Sequence, residues 1–279
     1  MTILEAVVLG VIQGLTEFLP VSSSGHLVLM QHFLGLKEPQ VFFDVMLHLG
    51  TLGAVVIAYY KSIWELGRAG FSAIVTPDFY RRPIYTINNC ANLKLIWFIF
   101  LGCIPTGVIA IAFKDQLESL FAKPTIVAMM LIITGLILQL PRLRRHAAQE
   151  GASPRFWHTP LIGIAQGFAI TPGISRSGST ISLALLLGIS PKNAARYSFL
   201  LSIPAIIGAV LLKFKDVPEI SIAPIVIVIG TLTSFMVGYL ALRVLLAMLD
   251  RGKFSGFSYY CFVVGAAVLI ITATAEITV

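Results

Sequence analysis

Ten apolar runs set the framework of the chain: roughly 2–19, 27–36, 41–60, 95–113, 125–140, 159–170, 179–189, 195–212, 222–248 and 258–275. A helix that crosses a bilayer needs about 20 residues. Runs 27–36, 159–170 and 179–189 are too short for that, and 2–19 is marginal, with Glu17 near its end. Short, Gly/Pro-interrupted segments in matching places of two halves mark broken or re-entrant helices. The pattern therefore predicts two hairpins, 2–36 and 159–189, that dip into the bilayer and return, and six spans from the remaining runs. The expected fold is an all-α integral membrane protein with an inverted-topology repeat, about ten helices, six full spans and two re-entrant helical hairpins.

The repeat is visible in the residues. With an offset of 153, Gly10, Gln13, Gly14, Ser22, Ser24, Gly25, Leu34 and Gly35 fall on Gly163, Gln166, Gly167, Ser175, Ser177, Gly178, Leu187 and Gly188. No gap is needed, and a shared Gln-Gly and Ser-x-Ser-Gly at one offset points to duplication. Each half then crosses three times, so the second is inverted relative to the first. The division expected is 1–140 as first repeat, 141–158 as cytoplasmic linker and 159–279 as second repeat.

Loop charge tests this topology. Loops 61–94, 141–158, 190–196 and 249–257, with Arg243 near a span end, carry 14 of the 20 basic residues; Lys37, Lys114, Lys123, Lys213 and Lys215 make five on the other side, and Arg176 is the last. Basic loops face the cytoplasm, so both termini are expected outside. The loop 61–94 is partly amphipathic through Ile63, Trp64, Leu66, Phe71 and Ile74, and part of it should lie along the membrane surface. The apolar N-terminus lacks a basic n-region and a cleavage motif, so it is expected to stay in the mature chain.

Composition agrees. The chain is 57% hydrophobic and only 12% charged, with mean hydropathy +0.90, against about 25% charged in soluble domains. The net charge of +7 is spread over loops rather than gathered into a patch, which excludes nucleic acid as a partner. Cys90, Cys103 and Cys261 form no ligand or disulfide pattern. There is no P-loop, dinucleotide fingerprint or HExxH.

The chemistry gathers at the two hairpin tips. Pro172-Gly173-Ile174-Ser175-Arg176-Ser177-Gly178-Ser179-Thr180 offers four hydroxyls, a guanidinium and flexible backbone at the start of an apolar helix. Free N–H groups at a helix start and the planar fork of Arg suit a phosphate. In the first half Pro20 breaks the helix, Ser22, Ser23, Ser24 and Gly25 form the tip, and His26 follows. Gln13 and Glu17 are four apart and share a helix face. Hairpins entering from opposite sides bring their tips together at mid-depth, so Glu17, His26 and Arg176 are expected in one site. An Arg at membrane depth costs roughly 2.5–3.5 kcal/mol and persists when paired. Asp44 and His48, also four apart, are expected to support that site from the next helix. Secondary transporters also hold anions between half-helix tips; His26, Ser23 and Glu17 beside the cradle favour chemistry over binding alone.

Gln13-x-x-x-Glu17, the run Glu17-Phe18-Leu19-Pro20-Val21-Ser22-Ser23-Ser24-Gly25-His26, and Pro172-Gly173-x-Ser175-Arg176-Ser177-x-x-Thr180 resemble the two signatures of the bacitracin-resistance type of undecaprenyl-diphosphate phosphatase. The pieces Phe43-Asp44-Val45 and Leu47-His48-Leu49-Gly50-Thr51 are similar too, and the likeness covers essentially the whole chain. It implies a multi-pass enzyme of the bacterial inner membrane, with its site facing the periplasm, that hydrolyses undecaprenyl diphosphate to undecaprenyl phosphate and inorganic phosphate. That reaction recycles the lipid carrier for cell-wall synthesis and confers bacitracin resistance. The resemblance implies Glu17, Ser23, His26, Ser175, Arg176 and Thr180 as essential residues, and a divalent cation as cofactor. Many members carry Glu where this chain has Gln13, so Mg²⁺ or Ca²⁺ is expected to be held mainly by the diphosphate, with Gln13 and Glu17 as its protein ligands.

The working assignment is catalytic Glu17, Ser23, His26 and Arg176. Ser22, Ser24, Gly25, Gly173, Ser175, Ser177 and Thr180 are assigned to substrate. His26 is either nucleophile or general acid/base, with Ser23 as the competing nucleophile. The partners expected are undecaprenyl diphosphate and the bilayer, with a homodimer left open.

Overall fold

The computed structural model describes residues 1–36, 41–143, 151–213 and 222–277. Lys37, Arg144, Arg145 and Lys215, counted in the charge comparison, lie outside the described residues, as does the middle of the 141–158 linker. In chain order the helices are α1 (Ile3–Phe18), α2 (Ser23–Phe33), α3 (Val41–Ala58), α4 (Tyr60–Val75), α5 (Pro77–Arg81), α6 (Pro83–Asn89), α7 (Ala91–Ala112), α8 (Lys114–Leu120), α9 (Pro124–Ile137), α10 (His158–Phe168), α11 (Arg176–Leu186), α12 (Pro191–Lys213), α13 (Pro224–Asp250) and α14 (Phe257–Ile277). Local sequence sets many of the starts. Thr2 and Glu5 cap α1 reciprocally, and proline opens α6, α9 and α13, where its missing N–H costs nothing.

Five stretches are long and apolar enough to cross a membrane: Ala91–Ala112, Pro124–Leu143, Pro191–Leu212, Pro224–Asp250 and Phe254–Thr274. A sixth exists if α3 and α4 are taken together, although the two are bent by 79°. These correspond to the six long runs of the sequence. Large apolar side chains such as Ile111, Leu211, Leu240, Val263 and Ile270 stand exposed on the outer faces. That surface is tolerable in lipid and a liability in water.

Four additional helices fall in segments read from sequence as loops: α4, α5, α6 and α8. The 79° bend turns α4 away from α3, leaving Trp64, Phe71 and Ile74 exposed along it. This is the amphipathic element expected in 61–94. The other three are five to seven residues long, below the length at which periodicity is readable.

The helices α1 and α10 pack on α13 and α7. Gly10 and Gly14 of α1 abut α13, where an added Cβ would come within 2.7 Å of the Gly230 carbonyl oxygen and 2.8 Å of the Gly238 nitrogen. Gly163 of α10, the offset counterpart of Gly10, abuts α7 instead, 2.1 Å from the Gly102 carbonyl oxygen on the same measure. Small residues at these crossings let backbones touch, the usual way helices associate without a hydrophobic drive between them. The helices α9 and α14 also pack together, and α3 runs along α13. A core built around Phe18, Ile181, Tyr197, Phe199 and Leu242 closes the centre, with Phe18 and Phe199 edge to face at 5.7 Å.

Candidate active site

Two serine caps build the tips. Ser22 precedes α2 and its Oγ accepts from the Gly25 N–H at 3.3 Å; Ser175 precedes α11 and its Oγ accepts from the Gly178 N–H at 3.0 Å. These pairs are related by the offset of 153, so the repeated Ser-x-x-Gly is in each case a helix N-cap. Both apolar runs therefore begin later than their helices: α2 starts at Ser23 and α11 at Arg176 because the capped polar residues already form the first turn.

The tips touch. Ser22 Oγ also accepts from the Gly173 N–H at 3.1 Å, and Ser177 Oγ donates to the Phe18 carbonyl at 3.1 Å. Ser22 sits at φ +70°, the lone non-glycine at positive φ among the described residues. Such strain persists only where surroundings over-determine it, and here one hydroxyl serves both tips. Gly173 has φ +95°, and a Cβ there would lie 2.4 Å from the Val127 carbonyl oxygen, so nothing larger fits. Thr134 of α9 pins the second tip: its hydroxyl donates to the Gly173 carbonyl at 2.7 Å and accepts from the Ser175 N–H at 3.0 Å.

Glu17 is the hub. It is 7% exposed, and four groups surround its carboxylate. Arg176 Nη2 donates to Oε1 at 2.6 Å; Ser23 Oγ and Gln13 Nε2 donate to Oε2 at 2.6 and 3.0 Å; His48 Nε2 stands 3.7 Å from Oε2. A carboxylate this deep is stable as an anion only because donors and a cation compensate its lost hydration. Two further atoms remain unsatisfied and buried beside it, Arg176 Nη1 and Gln13 Oε1. One is a donor and the other an acceptor, so the site holds unfilled capacity for an anion and for an electropositive partner.

His26 stands at the start of α2. Its Nδ1 lies 2.8 Å from the Ser22 carbonyl and its Nε2 2.9 Å from the Tyr260 hydroxyl. Asp44 and His48, expected beside the site, make different contacts. The Asp44 carboxylate accepts from Gln31 Nε2 at 2.7 Å, while His48 uses Nδ1 on the Asp44 backbone carbonyl at 2.7 Å and turns Nε2 toward Glu17.

Several hydroxyls assigned to substrate are engaged within the protein. Ser175 and Ser177 are 1% exposed and Thr180 fully buried. Thr180 Oγ1 donates to the Arg176 carbonyl at 2.8 Å and pairs with Ser198 Oγ at 2.6 Å. Ser24 is more open, its Oγ 3.4 Å from that of Ser22. Tyr260, Thr134, Gln31 and Ser198 carry no sequence signal, because each acts through a contact with a different helix or loop. Among the described residues no three His, Cys, Asp or Glu side chains gather as a metal-holding group.

An ion pair, candidate nucleophiles and an unsatisfied guanidinium nitrogen enclosed between apolar helices define a multi-pass helical membrane protein of the enzyme class. The chain belongs to the bacitracin resistance protein BacA family, whose model matches residues 6–267. It is 43% identical over 271 residues to an undecaprenyl-diphosphatase of Desulfatibacillum aliphaticivorans, covering 96% of this chain and 98% of that one. It is 44% identical over 275 residues to one of Desulfosudis oleivorans, with 95% and 97% covered. A third, from Methanosphaera stadtmanae, is 38% identical over 274 residues, with 97% and 98% covered.

Proposed function

We propose that this chain is an undecaprenyl-diphosphatase. It hydrolyses undecaprenyl diphosphate to undecaprenyl phosphate and inorganic phosphate, recycling the lipid carrier for cell-wall synthesis and giving bacitracin resistance. The observation that carries the reading is the 2.6 Å ion pair of Glu17 with Arg176, which joins the two tips and leaves Arg176 Nη1 without a partner. A diphosphate oxygen is the natural acceptor for that nitrogen.

Arg176 and the tip N–H groups then stabilise charge on the transferring phosphoryl group, as phosphoryl transfer requires. Ser23, already donating to Glu17, is placed to lose its proton to that carboxylate, and a water in its place would be activated the same way. His26 is the alternative nucleophile or the acid/base. Ser22, Ser175, Ser177 and Thr180 serve by fixing the loops whose backbone receives the substrate; Ser24, Gly25 and Gly173 line the same tips. A divalent cation fits the oxygens present, the Glu17 carboxylate and the partnerless Gln13 Oε1. With one charged ligand, Mg²⁺ or Ca²⁺ is best carried in on the diphosphate, where it would neutralise charge on the phosphates.

The same reading takes α1–α2 and α10–α11 as re-entrant hairpins of two inverted repeats, 1–140 and 159–279. Exchanged packing supports it, since α1 lies on α13 as α10 lies on α7. The linker is then cytoplasmic, both termini lie outside and the site opens to the periplasmic side of the bacterial inner membrane.

Purified protein with undecaprenyl diphosphate and Mg²⁺ is expected to release inorganic phosphate and leave undecaprenyl phosphate, identified by mass. Binding of the lipid without phosphate release would instead support a carrier and sink the hydrolase reading.

A further inference from the structure

Tyr260 is not part of either signature, yet its hydroxyl lies against the Nε2 edge of His26. The Ser22 carbonyl only accepts, so the Nδ1 that faces it at 2.8 Å carries the ring proton of the neutral imidazole. In that neutral ring the lone pair is on Nε2, and the Tyr260 hydroxyl, 2.9 Å away, donates to it. The two rings also stack, 5.7 Å apart and 14° from parallel. Tyr260 comes from α14, so a helix of the second half sets the tautomer and orientation of a residue at the first tip. It is 45% exposed, so it is not locked in the core.

We infer that Tyr260 is a positioning residue for the reaction: it holds His26 with the Nε2 lone pair aimed into the site. The inference rests on the phosphatase reading above. It also restricts His26 chemistry to Nε2, because Nδ1 is committed to backbone.

The test is Tyr260→Phe in the full-length protein, which keeps the stacked ring and removes only the hydroxyl. With undecaprenyl diphosphate as substrate, kcat is expected to fall roughly tenfold with KM within about twofold, the size of one hydrogen bond lost. In protein labelled with ¹⁵N-histidine, the unprotonated Nε2 resonance of His26, assigned with a His26→Gln control, is expected to move toward the value of a nitrogen without a hydrogen bond. Unchanged kcat, or an unmoved Nε2 resonance, overturns the inference. The resonance is read without turnover, so it stands apart from the hydrolase reading; a parent protein that releases no phosphate would sink that reading instead.

Discussion

Arg176→Ala slows phosphate release by at least about 10²-fold, the effect of losing one donor to a developing oxyanion. Two losses combine in this variant. The free Nη1 that would meet the diphosphate disappears, and so does the Nη2 that donates to Glu17 at 2.6 Å. Glu17, 7% exposed, is then a buried anion held only by neutral donors and by His48. Removing one partner of a buried pair costs about 3–5 kcal/mol, so the unfolding temperature in detergent should fall as well. Arg176→Lys separates the two effects. It retains the charge beside Glu17 but not the planar fork, so stability should return further than rate. A folded Arg176→Ala protein with parental turnover would remove the guanidinium from the chemistry.

Glu17→Gln is the complementary loss, expected at about 10²–10⁴-fold in kcat, the range for removing a positioned general base. The amide keeps the shape of the side chain and much of its hydrogen bonding. It cannot take a proton from Ser23, and it leaves Arg176 without its counter-charge. Size-exclusion behaviour and helical content should stay parental while phosphate release fails. Parental kcat would show that the Ser23–Glu17 contact only holds the tip in shape.

Much of this was legible in the residues. Ser-x-Ser-Gly, repeated at one offset beside the broken runs, gave the two tips, and the cost of an Arg inside apolar sequence required a partner, which is Glu17. What stayed hidden has a common physical cause. A hydroxyl in a glycine-rich loop reads the same whether it faces substrate or caps a helix, and at Ser175, Ser177 and Thr180 the protein itself takes the hydrogen bonds. Asp44 and His48 share a face by spacing, yet the Asp44 carboxylate turns to Gln31, because spacing says nothing of the neighbouring helix. Tyr260 meets His26 across 234 residues with no motif around it. The short helices after α3 were missed because five to seven residues carry too little periodicity.

The most direct test is a double-mutant cycle across the two tips: phosphate release measured for the parent, Glu17→Gln, Arg176→Ala and the double variant. If the loops form one site, the double variant should be within about tenfold of the slower single variant, because groups acting as a unit lose their effect together. Losses that multiply to the product of the two singles would mean that Glu17 and Arg176 act independently, and that the two tips do not share a catalytic centre.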